Sequence, residues 1–214
     1  MTCCPHCQDA GATFNASAAR RDLKRYRSRG PLGTTRMLVD AILEQRDSDR
    51  SLLDIGGGVG AISHELIGAG FAEAVLVDAS PAYLQAARAE AARRGHAARF
   101  TYHYADFVDL SPTLEAADVV TLDRVVCCYP DMVALVTASA AKARHLYGLV
   151  IPRRRAIVRF GNAAYNLFSR LRGSAFRSYV HPPAEVDEVV RDCGLARTYA
   201  AETPVWHVLT YART

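Results

Sequence analysis

The sequence predicts an α/β domain, doubly wound, with a mostly parallel sheet between two layers of helices. Three observations carry that expectation. Short apolar runs alternate with helix-period segments from Ser51 onward, the pattern of successive βαβ units. The first run empties into the glycine-rich turn Gly56-Gly57-Gly58-Val59-Gly60. The chain closes on two adjacent strand-like runs with no helix between them, which makes one edge of the sheet antiparallel.

The elements follow in order. Phe14 to about Ser28 places Phe14, Leu23 and Tyr26 among charges, as an amphipathic helix does. Gly30-Pro31 breaks it, and a second helix from Thr34 or Thr35 to Gln45 buries Met37, Leu38, Ala41 and Ile42. Ser51–Ile55 is a short strand, Ala61–Ala69 a helix, and Glu73–Val77 the second strand. The alanine-rich stretch Pro81–Arg94 is a helix closed by Gly95, followed by strands at Arg99–Tyr104 and Ala117–Leu122. Met132–His145 has helical spacing, and Leu149–Ile151 with Ala156–Phe160 offers the fifth strand. Asn162–Leu171 and Ala184–Cys193 read as helices, and Ala196–Glu202 and Val205–Tyr211 as the closing hairpin around Thr203-Pro204.

Composition narrows the function. Half of the 214 residues are hydrophobic and 22% are charged, enough for one core of ordinary size. No apolar run approaches the roughly 20 residues of a membrane span, and the first residues lack the basic and apolar regions of a secretory signal. The expected address is cytoplasmic. The net charge of +4 rests almost wholly on arginine, Lys24 and Lys142 being the only lysines. No nucleic-acid-binding module accompanies it, so no nucleic-acid partner is expected.

The chemistry gathers at strand ends. Asp54 stands immediately before the glycines, where its carboxylate would repel a pyrophosphate and attract an ammonium. Gly56, Gly57, Gly58 and Gly60 let the backbone turn sharply and a ligand come close. Asp78 ends the second strand, 24 residues after Asp54, about where an acid accepts ribose hydroxyls. Asp106 follows the third strand, placed to accept from an adenine amino group while Phe107 lines the ring pocket. Asp123 follows the fourth. Ligands of parallel sheets bind at these carboxyl ends.

Asp54–Gly60, with Asp78, Asp106 and Asp123 in step, resembles the motifs of class I S-adenosylmethionine-dependent methyltransferases over about residues 50–160. The resemblance implies a Rossmann-like sheet of seven strands, the last antiparallel, with S-adenosylmethionine as cofactor held by these acids, the glycines and Ala79. Within that superfamily the helix carrying Tyr26, the run Val77-Asp78-Ala79-Ser80-Pro81 and the segment from Asp123 to Tyr129-Pro130 look most like the magnesium-protoporphyrin O-methyltransferase branch. Such enzymes methylate a propionate. The chain departs from them at Cys128, where they tend to carry histidine, and in its cysteine-rich start.

The expected organisation is a leader over residues 1–13, a helical lid over 14–46, and the methyltransferase domain over 47–214 with a lid insertion at about 162–183. Tyr26 reads either as a lid residue over the cofactor or as a buried helix aromatic. Cys128 and Tyr129, with Cys127, follow the fourth strand, beside the expected methyl group, as pocket lining, soft-metal ligands or small buried residues. His181, pinned before Pro182-Pro183, is a candidate base or a surface histidine. The arginines between Arg153 and Arg177 read either as forks for the carboxylate of an acidic acceptor or as a solvated basic face, and Arg159 ranks first among them because Val158-Arg159-Phe160 alternates. Cys4, His6 and Cys7 have the softness and spacing for zinc or another thiophilic ion; an unstructured or redox-sensitive tail is the alternative.

The function expected is methylation of a small, possibly acidic acceptor at a carboxylate or hydroxyl. Methylation of a thiol or thiophilic metalloid through the cysteines is the second reading, and a non-catalytic S-adenosylmethionine-binding protein the third.

Overall fold

The computed structural model describes residues 10–11, 13–47 and 50–214. Its seven strands are β1 (Ser51–Ile55), β2 (Glu73–Asp78), β3 (Phe100–Tyr104), β4 (Ala117–Asp123), β5 (Ala143–Pro152), β6 (Leu195–Glu202) and β7 (Trp206–Arg213). They form one sheet in the order β3-β2-β1-β4-β5-β7-β6. β1 pairs in parallel with β2 and β4, and β7 enters antiparallel to both β5 and β6. The strand order reverses between β1 and β4, the topological switch point where such sheets open a crevice.

Helices cover both faces: α1 (Ala16–Arg29), α2 (Gly33–Gln45), α3 (Ala61–Gly68), α4 (Pro81–Arg93), the single turn α5 (Phe107–Leu110), α6 (Met132–Ala140), α7 (Ala156–Leu171) and α8 (Pro183–Asp192). Strand alternation decides which residues meet which layer. Leu53, Ile55, Val77 and Val120 turn to the α6 and α8 side, with Leu135 and Val190. Leu52, Ala74 and Val119 turn to the α2 and α3 side, with Leu38, Ile42 and Leu66.

Local chemistry sets the helix ends. Asn15 caps α1 by accepting from the N–H of Ser17 at 3.0 Å and of Ala18 at 3.2 Å. Ser80 caps α4 ahead of Pro81, and Asp131 caps α6 through the N–H of Ala134 at 2.9 Å. Leu38 and Ile42 of α2 are fully buried, and Leu38 lies so close to β5 that a Cβ on Gly148 would meet its Cδ1 at 2.8 Å. The segment expected as the second half of a lid is therefore a core layer: its apolar stripe faces the sheet.

Two boundaries differ from the sequence pattern. The helix expected to reach His145 stops at Ala140, and β5 begins at Ala143, paired to β4 and β7. Sheet pairing overrides the local helical spacing there. Ala156–Phe160, expected as strand, is the first part of α7. Its apolar residues continue at helical spacing through Leu171, and three residues of alternation are too few to specify a strand.

Candidate functional site

The end of β1 and the glycine turn separate two connected hollows at the carboxyl edge. The larger, about 400 Å³, is lined by Ile55, Val77, Asp78, Asp106, Phe107 and Cys128, among others. That is the size range of small-molecule sites. The smaller, about 180 Å³, opens on the α2 and α3 side beside Thr35, Asp54 and Asp123. Gly56, Gly58, Tyr83 and Arg124 line both.

Gly56 and Gly57 leave no room for a side chain. Gly56 has φ +60°, and a Cβ there would sit 2.5 Å from Cγ2 of Val125. A Cβ on Gly57 would meet the Asp54 carboxylate at 2.6 Å. Asp54 is fully buried and accepts from the hydroxyls of Ser63 at 2.7 Å and Thr121 at 2.9 Å. Burial pushes its pKa up to about 6 against the pull of those two bonds. Alternation along β1 thus turns Asp54 toward α3 and the smaller hollow, away from the larger one.

Asp78 joins the neighbouring strand to the turn. It accepts from the N–H of Gly58 at 2.9 Å and from that of Ser80 at 2.7 Å. Burial raises its pKa to about 6 as well. Asp106 caps α5 through the N–H of Val108 at 2.9 Å and accepts from the Tyr129 hydroxyl at 3.0 and 3.1 Å. Phe107 beside it is buried. Ala79 and Tyr129 line the larger hollow. Asp123 is held by three donors: Thr35 of α2 at 2.5 Å, and Nε and Nη2 of Arg124 at 2.9 and 3.2 Å. Arg124 has φ +61°, the one non-glycine residue in that region among the described residues, and strain of this kind concentrates at functional sites.

Beyond β4, Cys127 and Cys128 face the larger hollow with their sulfurs 3.9 Å apart. Their mutual hydrogen bond lowers the Cys128 thiol, aided by the nearby Arg124 guanidinium, and raises that of Cys127. A strap running through Phe176 to His181 lies over this turn. The N–H of Tyr179 donates to the Cys127 carbonyl at 2.7 Å, and Nε2 of His181 donates to the Tyr129 carbonyl at 3.0 Å. Phe176 meets Phe14 edge-on at 5.5 Å, and Phe14 meets Tyr83 at 6.0 Å.

The expected cofactor residues converge: Gly56, Gly58, Asp78, Ala79, Asp106, Phe107 and Asp123 line the larger hollow, and Asp54, Gly57 and Asp123 the smaller. Gly60, at φ +77°, caps the start of α3 instead. Of the expected catalytic residues, Cys128 and Tyr129 line the larger hollow. Tyr26 takes the second of its two readings, a buried helix aromatic, and Arg159 stands off the lining. Tyr26 is 1% exposed; its hydroxyl donates to Glu65 at 2.7 Å and its ring packs under the Arg94 guanidinium. It pins α1 to α3 and borders neither hollow. Arg159 lies exposed on helix α7 and lines neither hollow, because the segment does not form a strand. His181 braces the turn at Tyr129 from outside the lining. Cys4, His6 and Cys7 lie outside the described residues, among which no three His, Cys, Asp or Glu side chains gather as metal ligands.

Thr35, Tyr83 and Arg124 also belong to the site, although the sequence reading does not single them out. Arg124 was within reach of sequence reasoning, since it directly follows the acid at the end of β4. Tyr83, whose hydroxyl donates to Asp22, and Thr35 carry no motif.

Residues 52–146 match the model of a family described as a methyltransferase domain. No curated protein sequence matches the chain. Among solved structures, the fold is similar to magnesium protoporphyrin IX methyltransferase from Synechocystis PCC 6803 with bound S-adenosylhomocysteine, at a TM-score of 0.74 and 19% identity, covering 96% of this chain and 98% of that one. The same protein with bound S-adenosylmethionine gives 0.73 and 18%, with both chains covered in full. An O-methyltransferase family protein from Burkholderia thailandensis gives 0.68 and 18%, covering 84% of this chain and 56% of that one. Residues 52–146 thus carry the similarity to a methyltransferase domain, and the fold of the chain is the Rossmann-like fold of the solved methyltransferases with bound S-adenosylmethionine and S-adenosylhomocysteine.

Proposed function

We propose that the chain binds S-adenosylmethionine across its two hollows and methylates a small molecule at oxygen, with a carboxylate as the favoured acceptor. The observation that carries the cofactor assignment is Asp78. Both its oxygens are fixed by the backbone of Gly58 and Ser80, and each carboxylate oxygen has a second lone pair for the hydroxyls of a ribose in the larger hollow. Phe107 and Asp106 offer a ring wall and an acceptor for adenine. The glycine turn, with Asp54 and Asp123 beside the smaller hollow, suits a methionine portion that carries an ammonium group.

When bound, the cofactor would supply a methyl group on a sulfonium, for in-line transfer to the acceptor with the thioether as leaving group. The protein's part is then alignment and exclusion of water. Phe14, Phe176 and Tyr83 form an apolar cover on one side of the larger hollow, and Cys128 and Tyr129 bound another. An ionised carboxylate needs no base, and among the described residues no histidine or lysine lines this hollow. Arg124 is the cation that does line it, and it takes the role that the sequence alone gave to Arg159: holding an acidic acceptor.

The test is transfer of labelled methyl from S-adenosylmethionine to carboxylic, phenolic and thiol acceptors, followed by alkaline treatment of the product. Release of label by base identifies a methyl ester and supports the carboxylate reading. Base-stable label rejects it. The Cys127–Cys128 pair favours a second reading, methylation of a thiol or thiophilic metalloid held at Cys128. Unchanged transfer by Cys128→Ser to every accepted substrate would sink that alternative.

A further inference from the structure

Helix α7 is amphipathic in the inverted sense. Of its 16 residues only Ser169 is buried. Asn162 and Asn166 each donate to the Ser178 carbonyl, at 2.8 and 2.7 Å, and Asn166 accepts from the N–H of Ser178 at 2.9 Å. Asn162, Asn166 and Ser169 follow i, i+4, i+7 spacing and so share one face, which is polar and attached to the body.

The opposite face is apolar and open to solvent. Ile157, Phe160, Leu167, Phe168 and Leu171 are 76%, 77%, 60%, 51% and 78% exposed. At 100° per residue they fall in one stripe roughly 100° wide, turned away from the asparagines. Burying any of them in the protein's own core would remove an apolar patch that single domains rarely display. None is buried.

The charge around the stripe names what covers it. From Met132 to Ala184 the chain contains no aspartate or glutamate, yet it holds Lys142 and eight arginines. Arg154, Arg155, Arg159, Arg170 and Arg172 are exposed on or next to α7. Arg153 pairs with Glu202 and Arg144 with Asp118, so the neighbouring acids engage arginines off the helix. A second copy presenting the same face would bring like charges together. An apolar stripe flanked by arginine is complementary to a surface with an anionic boundary and an apolar interior.

We propose that α7 lies in the headgroup boundary of an anionic phospholipid bilayer, apolar stripe inward, holding the carboxyl edge of the sheet against the membrane surface. The contact is peripheral: no helix of the described residues is long and apolar enough to span. The inference stands on α7 alone and does not depend on which acceptor is methylated.

The experiment is flotation of the full chain with phosphatidylcholine vesicles, with and without phosphatidylglycerol. The chain floats with the anionic vesicles, less so as salt rises, because screening weakens the arginine contacts. Phe160→Ser with Leu171→Ser lowers the partition coefficient about tenfold or more, and Arg154→Gln with Arg155→Gln removes the preference for anionic lipid. Both pairs of residues are exposed, so thermal melts of the variants match the wild type. Absence of flotation overturns the proposal, as does flotation that neither pair of changes weakens. Monomerisation of a lipid-free dimer by Phe160→Ser with Leu171→Ser, without vesicle binding by the wild type, assigns the face to a second copy and also overturns it.

Discussion

The carboxylate of Asp78 accepts the backbone N–H of Gly58 at 2.9 Å, tying the end of β2 to the glycine turn that follows β1. One acid thereby shapes the turn and presents its remaining lone pairs to the larger hollow. Asp78→Asn keeps the size but exchanges one acceptor oxygen for a donor. It should weaken S-adenosylmethionine binding by roughly 1–3 kcal/mol, measured by calorimetry. Burial raises the Asp78 pKa to about 6, and the ionised form is the better acceptor. Affinity should therefore fall as pH drops through about 6, and this dependence should shrink in the Asn variant.

The close approach of Gly56 to Val125 gives a prediction that separates two costs. Gly56→Ala forces an alanine to φ +60° and places its Cβ 2.5 Å from Val125 Cγ2. Strain and overlap should each cost roughly 1–3 kcal/mol of stability. Adding Val125→Ala removes the overlap and leaves the strain, so the double variant should recover part of the loss. Urea melts of the three variants measure the coupling. Strict additivity would show that Val125 moves aside without resistance.

Much of this site was legible because its chemistry sits at strand ends. Asp54, Asp78, Asp106 and Asp123 each follow an apolar run, and the carboxyl-edge rule converts that spacing into a place. The rule says nothing about side-chain direction. Asp54 therefore emerged on the α3 side, bonded to Ser63 and Thr121, a consequence of strand alternation that requires knowing which face each helix covers. Tyr26 shows a different limit. Its partner Glu65 lies 39 residues away, and nothing local distinguishes a tyrosine that closes a pocket from one that pins two helices. The start of α7 was obscured by three alternating residues, and its outward apolar stripe contradicts the assumption that such stripes face the core.

Glu90 is fully buried yet meets Arg27 at 2.7 Å, Arg93 at 2.6 Å and Arg94 at 2.9 Å. Arg27 belongs to α1, so this carboxylate fastens α1 to α4. The arginine hydrogen bonds hold its pKa well below the ordinary carboxylate range. Glu90→Gln should cost about 1–3 kcal/mol, less than an isolated buried pair, since the partly exposed arginines return to water. A depressed carboxyl pKa stabilises the fold above its unfolded value and loses that contribution as pH falls. The gap between wild type and Glu90→Gln, followed by thermal melts, should accordingly close as pH drops below about 4.5.

Asp54 works in the opposite direction. Burial lifts its pKa from 3.8 to about 6, so the folded chain binds a proton there that the unfolded chain has already released. Its contribution is present in full below pH 3.8 and is lost as pH rises through about 6. Asp54→Asn preserves the shape, and the hydroxyls of Ser63 and Thr121 can rotate to accept from the new amide. Between about pH 4 and pH 6 the wild type should lose stability relative to the Asn variant as pH rises, at a slope of about one proton. The same site offers a check on the proposed cofactor. An ammonium group in the smaller hollow favours the charged carboxylate, so saturating S-adenosylmethionine should lower the Asp54 pKa and flatten that slope. A slope unchanged by the cofactor would place its ammonium elsewhere, and Asp123, which borders both hollows, would then be the acid to neutralise.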